Sequence, residues 1–363
     1  MFTTHAERIR LRVDTILRAV QSADMVRTLL AEPAFDPLGM PPGNGQEAGQ
    51  WLKKNAPTTV AWKEFDHNAA MTALYAAYES CVYDLLVDWI TNVMPVRWPK
   101  FTENLPDFIQ ASYVTGIARL IPEMGKGRYR ALALKDVAKN LADSTAGSQP
   151  YHLHPEAFFT NDQNLRGSRL NELLRSVGID DAWTWLCQHP SLIDYLDNVV
   201  GGGSTLENEL NRFVQARNEA AHGSTGTYLG ISELERLSIF AERLSIAIIE
   251  KARHGLVRHY LSVGRAQCVG TVTEVFKKPG AVIVKSAVGC EVVSGTHHAI
   301  LSDRCCDFGE LLSCEVDDVP HTTFVPTVEK ELGLKFTCLP REGTEVIRFL
   351  PFNHTAEVLG AHI

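Results

Sequence analysis

Hydrophobic periodicity changes once along this chain, and that change limits what the chain can fold into. Up to Gly264, apolar residues recur at helical spacing. Beyond it, Val, Thr and Ile alternate in short runs broken by Gly and Pro. A stretch patterned for one period does not settle into the other. The pattern predicts a helical bundle over residues 1–262 and a small all-β barrel or sandwich over residues 263–363. The 363 residues, 45% of them hydrophobic, are enough to bury two cores.

The helical part divides further. Residues 5–31 carry a stripe through Ile9, Val13, Ile16 and Val20, which predicts a first helix. Residues 33–60 are broken by Pro33, Pro37, Pro41, Pro42, Gly43 and Gly45 and read as an arm. The core bundle then spans 61–262. It begins with a helix through Leu74, Tyr78, Val82, Leu85 and Trp89 that Pro95 and Pro99 are expected to end. Strand-like runs cover 267–276, 280–286, 290–301, 311–328, 334–339 and 344–350.

Composition excludes several classes of function. A formal net charge of −8 rules out a generally basic surface, so any nucleic-acid contact must use a local patch. The N-terminus, MFTTHAERIRLRVDTILRAVQ, carries charges throughout and lacks the apolar run of a signal peptide. No window has the length and apolarity of a membrane span. The eight cysteines occur singly apart from Cys305-Cys306, as expected of reduced thiols in a cytoplasmic protein. His297, His298, Cys305, Cys306, Cys314, His321 and Cys338 crowd the β-region without the Cys-x2-4-Cys knuckle of a structural zinc site. They read as half-buried strand residues, and neither a metal nor a cofactor is called for.

One helix departs from its own pattern. After the hinge Gly201-Gly202-Gly203, with Ser204 or Thr205 available as cap, an apolar stripe runs Leu206, Leu210, Phe213. The next position on that stripe is Arg217, a charge where a hydrophobe belongs. Asn218 and His222 are spaced i, i+4 on the adjoining edge, and Gly223 stops the helix. These residue types suit RNA cleavage without a metal. Histidine takes or gives protons near neutral pH, and an arginine fork matches phosphate oxygens. One such pair is a thin active site, whereas two copies across a two-fold axis supply both proton transfers. The plain structural alternative is an arginine and a histidine that pair with neighbouring helices and cap carbonyls.

The stretch RNEAAHG resembles the R-N-x-x-x-H signature of the HEPN superfamily of all-α domains. LNRFVQARNEAAHG, LYAAYESCVYDLLVDWI and NLRGSRLNELLRSVGID resemble its RiboL-PSP-HEPN branch, over roughly residues 60–260. The resemblance implies a homodimeric, metal-independent endoribonuclease that leaves a 2′,3′-cyclic phosphate, with Arg217, Asn218 and His222 as catalytic residues. It implies that Arg217 holds the scissile phosphate, His222 does acid/base work and Asn218 orients the histidine. Glu79 or Asp84 is the candidate supporting acid on a facing helix. Some HEPN toxins carry a tyrosine, modified with AMP, where Ser224 stands here, so the resemblance does not extend to that control. The implied role is a toxin or anti-phage defence effector answering to an antitoxin or a phage-derived trigger. The alternative is a non-catalytic HEPN scaffold that binds RNA or a protein partner. Two basic clusters are candidate RNA contacts: Lys126, Arg128 and Arg130 in PEMGKGRYR, and Lys277 with Lys278 in the β-region.

Overall fold

The computed structural model describes residues 2–32, 36, 38, 43–147, 151–159, 164–223 and 229–350. It is a helical bundle followed by a closed β-barrel. The bundle comprises α1 (Thr3–Ala31), α2 (Asn44–Asn55), α3 (Thr59–Asp88), α4 (Met94–Arg97), α5 (Asp107–Leu120), α6 (Leu134–Thr145), α7 (Gly167–Ser176), α8 (Ala182–Cys187), α9 (Pro190–Asp194), α10 (Leu206–His222) and α11 (Ile231–Ser262). The helix α3 is the central strut, packed against α1, α10 and α11. Thr58 caps its start by accepting the Ala61 N–H at 3.3 Å. Its core face buries Leu74, Tyr75, Tyr78, Val82 and Leu85 completely or nearly so. The two long helices run in step: the Cys81 thiol hydrogen-bonds Ser245, and Trp89 packs beside Gly255.

The fold departs from the sequence pattern at two points. The residues 33–60 are not wholly an arm, because α2 forms at Asn44–Asn55, where good helix formers follow the last glycine–proline cluster. Pro95 does not end the long helix. A wide π-turn at Trp89–Val93 resets the hydrogen-bond register, which places Pro95 in the first turn of α4. In a first turn the missing N–H of proline is tolerated.

Glycine is obligatory at one packing point of the bundle. Gly116 of α5 lies against the 3-10 turn Pro155–Phe159, and a Cβ added there would sit 1.9 Å from the Ala157 carbonyl oxygen. The two backbones are in direct contact.

The second part is a barrel rather than a sandwich. Its strands are β1 (Ala266–Phe276), β2 (Ala281–Ser286), β3 (Val292–Val293), β4 (His297–Leu301), β5 (Cys306–Val316), β6 (Val319–His321), β7 (Thr323–Phe324), β8 (Glu331–Phe336) and β9 (Glu345–Phe349). Antiparallel pairing runs β4-β9-β1-β2-β8-β5, and the further β4–β5 pairing closes the ring. Registers such as Val272↔Val284, Val282↔Leu334 and Ile300↔Val346 put the apolar alternates inside. The strand β6 extends the sheet at β5, and β3 with β7 forms a separate ribbon.

The barrel docks on the C-terminal part of α11. Val257 of that helix shares a small core with Ala266, Ala299, Leu301, Cys306 and Ile347 on the barrel's outer face. A polar joint lies beside it. Glu250 accepts the Cys306 N–H at 3.3 Å and faces His189 Nε2 at 3.1 Å, while Ser191 meets His189 Nδ1 at 2.8 Å. Among the described residues no helix is long and apolar enough to cross a membrane.

His298 is buried inside the barrel. Its Nδ1–H donates to the Thr296 carbonyl at 3.1 Å, and its Nε2 has no partner among the described residues. Burial pushes its pKa from 6.5 down to about 4, with Arg348 and His297 acting the same way. The unfolded chain therefore takes up the proton first. Stability is complete above about pH 6.5 and falls toward pH 4, by on the order of 3 kcal/mol for this site. His254, lowered to about 4 by burial, loses stability in the same window. Melting temperatures measured across pH 4–7 should fall less for His298→Asn than for the parent protein; parallel curves would refute the assignment. Gly116→Ala should cost about 1–3 kcal/mol in denaturant unfolding, as for other overpacked sites, and an unchanged midpoint would show that the contact can yield.

Candidate active site

The helix α10 is held at both ends before its chemistry begins. Thr205 caps it by accepting the Asn208 N–H at 3.2 Å, and Gly223 ends it at φ 63°, a left-handed conformation that suits glycine. In its first turn Glu209 is only 3% exposed and pairs with Arg236 of α11. A buried carboxylate left unpaired is costly, so this pair fixes the start of α10 on α11. Glu233 and Glu209 in turn hold Arg236 in its charged form. One turn later Phe213 enters an aromatic cluster, with ring centroids 5.8 Å from Tyr75, 6.1 Å from Tyr78 and 6.0 Å from Phe240.

The stripe next reaches Arg217, which is half-buried. Its guanidinium lies over the Tyr75 ring, 4.9 Å from the centroid. Its Nη1 donates to Asn164 Oδ1 at 3.3 Å and to Asn218 Oδ1 at 3.1 Å. Asn164 Nδ2 closes the triangle by donating to Asn218 Oδ1 at 3.1 Å. The segment carrying Asn164 is itself clamped. The Leu165 N–H donates to the Tyr75 hydroxyl at 2.8 Å, and the Tyr78 hydroxyl donates to the Leu165 carbonyl at 3.3 Å. Burial pushes the Tyr75 phenol up to about 12, so it stays a neutral donor and acceptor under the cation.

His222 lies in the last turn of α10, exposed, with no hydrogen bond to another described residue. The Asn218 carbonyl is committed to Arg217 and Asn164. Within one chain Asn218 thus braces the arginine, and no bond from it to His222 is present among the described residues. The arrangement offers a fixed cation and, about one and a half turns along, an open imidazole.

The other candidates are spread more widely. Glu79 lies one turn after Tyr75 on the same face of α3, close enough for its charge and that of Arg217 both to act on the Tyr75 phenol. Asp84 is on the opposite side of α3, ion-paired with Arg8 of α1 at 3.0 Å, away from this cluster. Arg128 donates to the Phe159 carbonyl and hydrogen-bonds Tyr83. Lys126 is exposed and faces Glu123 at 3.5 Å, and Arg130 is exposed. Lys277 and Lys278 sit at the tip of the β1–β2 hairpin. The barrel meets α11 from Glu250 to Val257, whereas Tyr75 stands level with about residue 239 of that helix. At 1.5 Å per residue the nearest barrel contact is about 16 Å along α11 from that level. Ser224 lies outside the described residues.

Three members of the site were not singled out from sequence. Asn164 opens the stretch NLRGSRLNELL, but nothing in its pattern marks a loop amide as a brace. Tyr75 reads as one more core aromatic. His67 of α3 is 4% exposed, and its Nδ1 has no partner among the described residues. Burial lowers its pKa, and Glu219 of α10 opposes that shift, which places the ring near the end of α10.

Comparison with curated proteins and with solved structures gives no match. Residues 63–254 match the RiboL-PSP-HEPN family, and the match takes in α3 from Lys63 onward, α10 and every residue of the Arg217 cluster. It covers more than half of the chain, which therefore belongs to the HEPN superfamily.

Proposed function

We propose that the chain is a metal-independent endoribonuclease whose working site is shared between two copies. HEPN domains are commonly ribonucleases or RNA-binding modules, and they often dimerise. The observation that carries the reading here is Arg217. A cation is held half-buried on an aromatic ring by two amides, and the same helix ends five residues later in an exposed histidine with no hydrogen bond to another described residue.

The chemistry then runs as follows. A base removes the proton of the RNA 2′-hydroxyl, and the 2′-oxygen bonds to phosphorus. The P–O5′ bond breaks, and an acid returns a proton to O5′, which leaves a 2′,3′-cyclic phosphate and a 5′-hydroxyl. Arg217 holds the phosphate oxygens as charge gathers there. His222 of one protomer and its symmetry mate serve as base and acid. Glu79, beside Tyr75, is the supporting acid this reading prefers. Such an enzyme suits a toxin or phage-defence effector restrained by an antitoxin or released by a phage-derived trigger. The alternative, a non-catalytic scaffold that binds RNA or a protein partner, draws support from the engagement of Arg217 Nη1 within its own chain.

Purified protein incubated with mixed RNA should cleave it equally with and without EDTA. His222→Ala should lower the rate by about 10²–10⁴-fold, the usual worth of a general acid/base. Arg217→Lys, which keeps the charge but loses the fork, should lower it by about 10²-fold. RNA left intact by the full chain and by a chain ending at residue 262 would favour the scaffold. Sedimentation of the active species should give twice the chain mass; full activity in a monomer would sink the shared site.

A further inference from the structure

A recess of about 370 Å³ opens between α5 and α7, away from α10. Its walls carry Arg119 and Arg169, with the hydroxyls of Ser112, Thr115 and Ser176. Glu172 is the acid on the lining, and it meets Arg169 only at 3.5 Å. Arg119 is exposed and has no ion-pair partner among the described residues. In a protein of net charge −8, two guanidiniums against one loosely paired carboxylate make a local positive excess. The floor is rigid, because Gly116 and Ala157 bring α5 and the Pro155–Phe159 turn into backbone contact.

The recess is not isolated from the Arg217 cluster. Tyr75, Glu79 and Tyr83 follow one another at i, i+4 and i+8 along one face of α3. Arg217 lies on Tyr75, and Glu79 acts on both Tyr75 and Tyr83. Tyr83 is hydrogen-bonded by Arg128, packs on Phe159 with ring centroids 5.0 Å apart, and lies within the field of Arg169. Tyr75 and Tyr83 are about 12 Å apart along the helix, a distance that a few nucleotides of single strand can span. The segment from Asn164 to Ser176 thus touches the Arg217 cluster at one end and the recess at the other.

We propose that this recess is a phosphate subsite for the RNA strand engaged at α10, with Arg119 and Arg169 supplying the charge and Thr115 a hydroxyl donor, the Ser112 and Ser176 hydroxyls being spent on the Phe108 and Leu173 carbonyls. Guanidinium forks and hydroxyls are the groups that position a nucleic-acid backbone without reading its bases. The subsite therefore fixes the strand's path and register, and its contribution is independent of base sequence. The proposal rests on the RNA-cleavage reading of α10, and its test keeps the two apart.

Binding of a labelled short single-stranded RNA is measured by fluorescence anisotropy on the non-cleaving His222→Ala protein, at several salt concentrations. Adding Arg119→Gln should weaken binding roughly tenfold, the worth of a hydrogen bond to a charged group. It should also reduce the salt slope by about 0.7, the value for one contact on a single strand. Arg169→Gln should do the same, while Glu172→Gln should tighten binding, a change of opposite sign that damage to the fold would not produce. In the cleaving protein, Arg119→Gln should raise KM for an oligonucleotide. Unchanged oligonucleotide binding in Arg119→Gln, or no RNA binding by the His222→Ala parent, would overturn the subsite. Absence of cleavage with these binding shifts intact would count against the catalytic reading of α10 alone.

Discussion

A guanidinium on the buried stripe of a helix must be compensated where it stands. Arg217 interrupts the row Leu206, Leu210, Phe213, and its compensation is drawn from three elements: a ring of α3, an amide of its own helix and an amide of the loop before α7. Cation–ring contacts of this partly desolvated kind contribute about 0.5–2 kcal/mol, and each hydrogen bond adds about as much. Their larger effect is geometric. Because the charge is stable only where all three elements meet, the loop at Asn164 cannot drift from α3 without stranding it. The tyrosine hydroxyls that clamp Leu165 make the same junction from the other side.

Much of this could be read in the chain beforehand, for physical reasons that differ by element. The switch of period marks where α11 gives way to β1, because burial on one helix stripe and burial on alternate strand residues need incompatible spacings. The misfit of Arg217 was visible for the same reason. Closure of the barrel was not. It depends on β4 pairing with both β5 and β9, and strand alternation is the same in a sandwich. The helix α2 was masked by the prolines beside it. Pro95 misled because a π-turn changes which carbonyls need partners, and no side chain announces that change.

Within the candidate site, Arg217, Asn218 and His222 lie on one helix, where spacing translates directly into position. Asn164 and His67 come from other elements, and their approach to α10 is a tertiary fact. Asp84 illustrates the converse. As an acid on the facing helix it looked equivalent to Glu79, but the two differ in angular position, and only Glu79 shares a face with Tyr75.

The joint at Glu250 has a consequence for how the two halves of the molecule lose structure. One carboxylate accepts an N–H from the barrel and faces an imidazole from the bundle, beside an apolar seam that both halves bury. Detaching the barrel exposes that seam and leaves the carboxylate short of a partner, so separation carries much of the cost of unfolding the barrel's outer face. The bundle and the barrel differ in architecture and keep separate cores, yet a junction built in this way makes each of them more stable while the other stays folded.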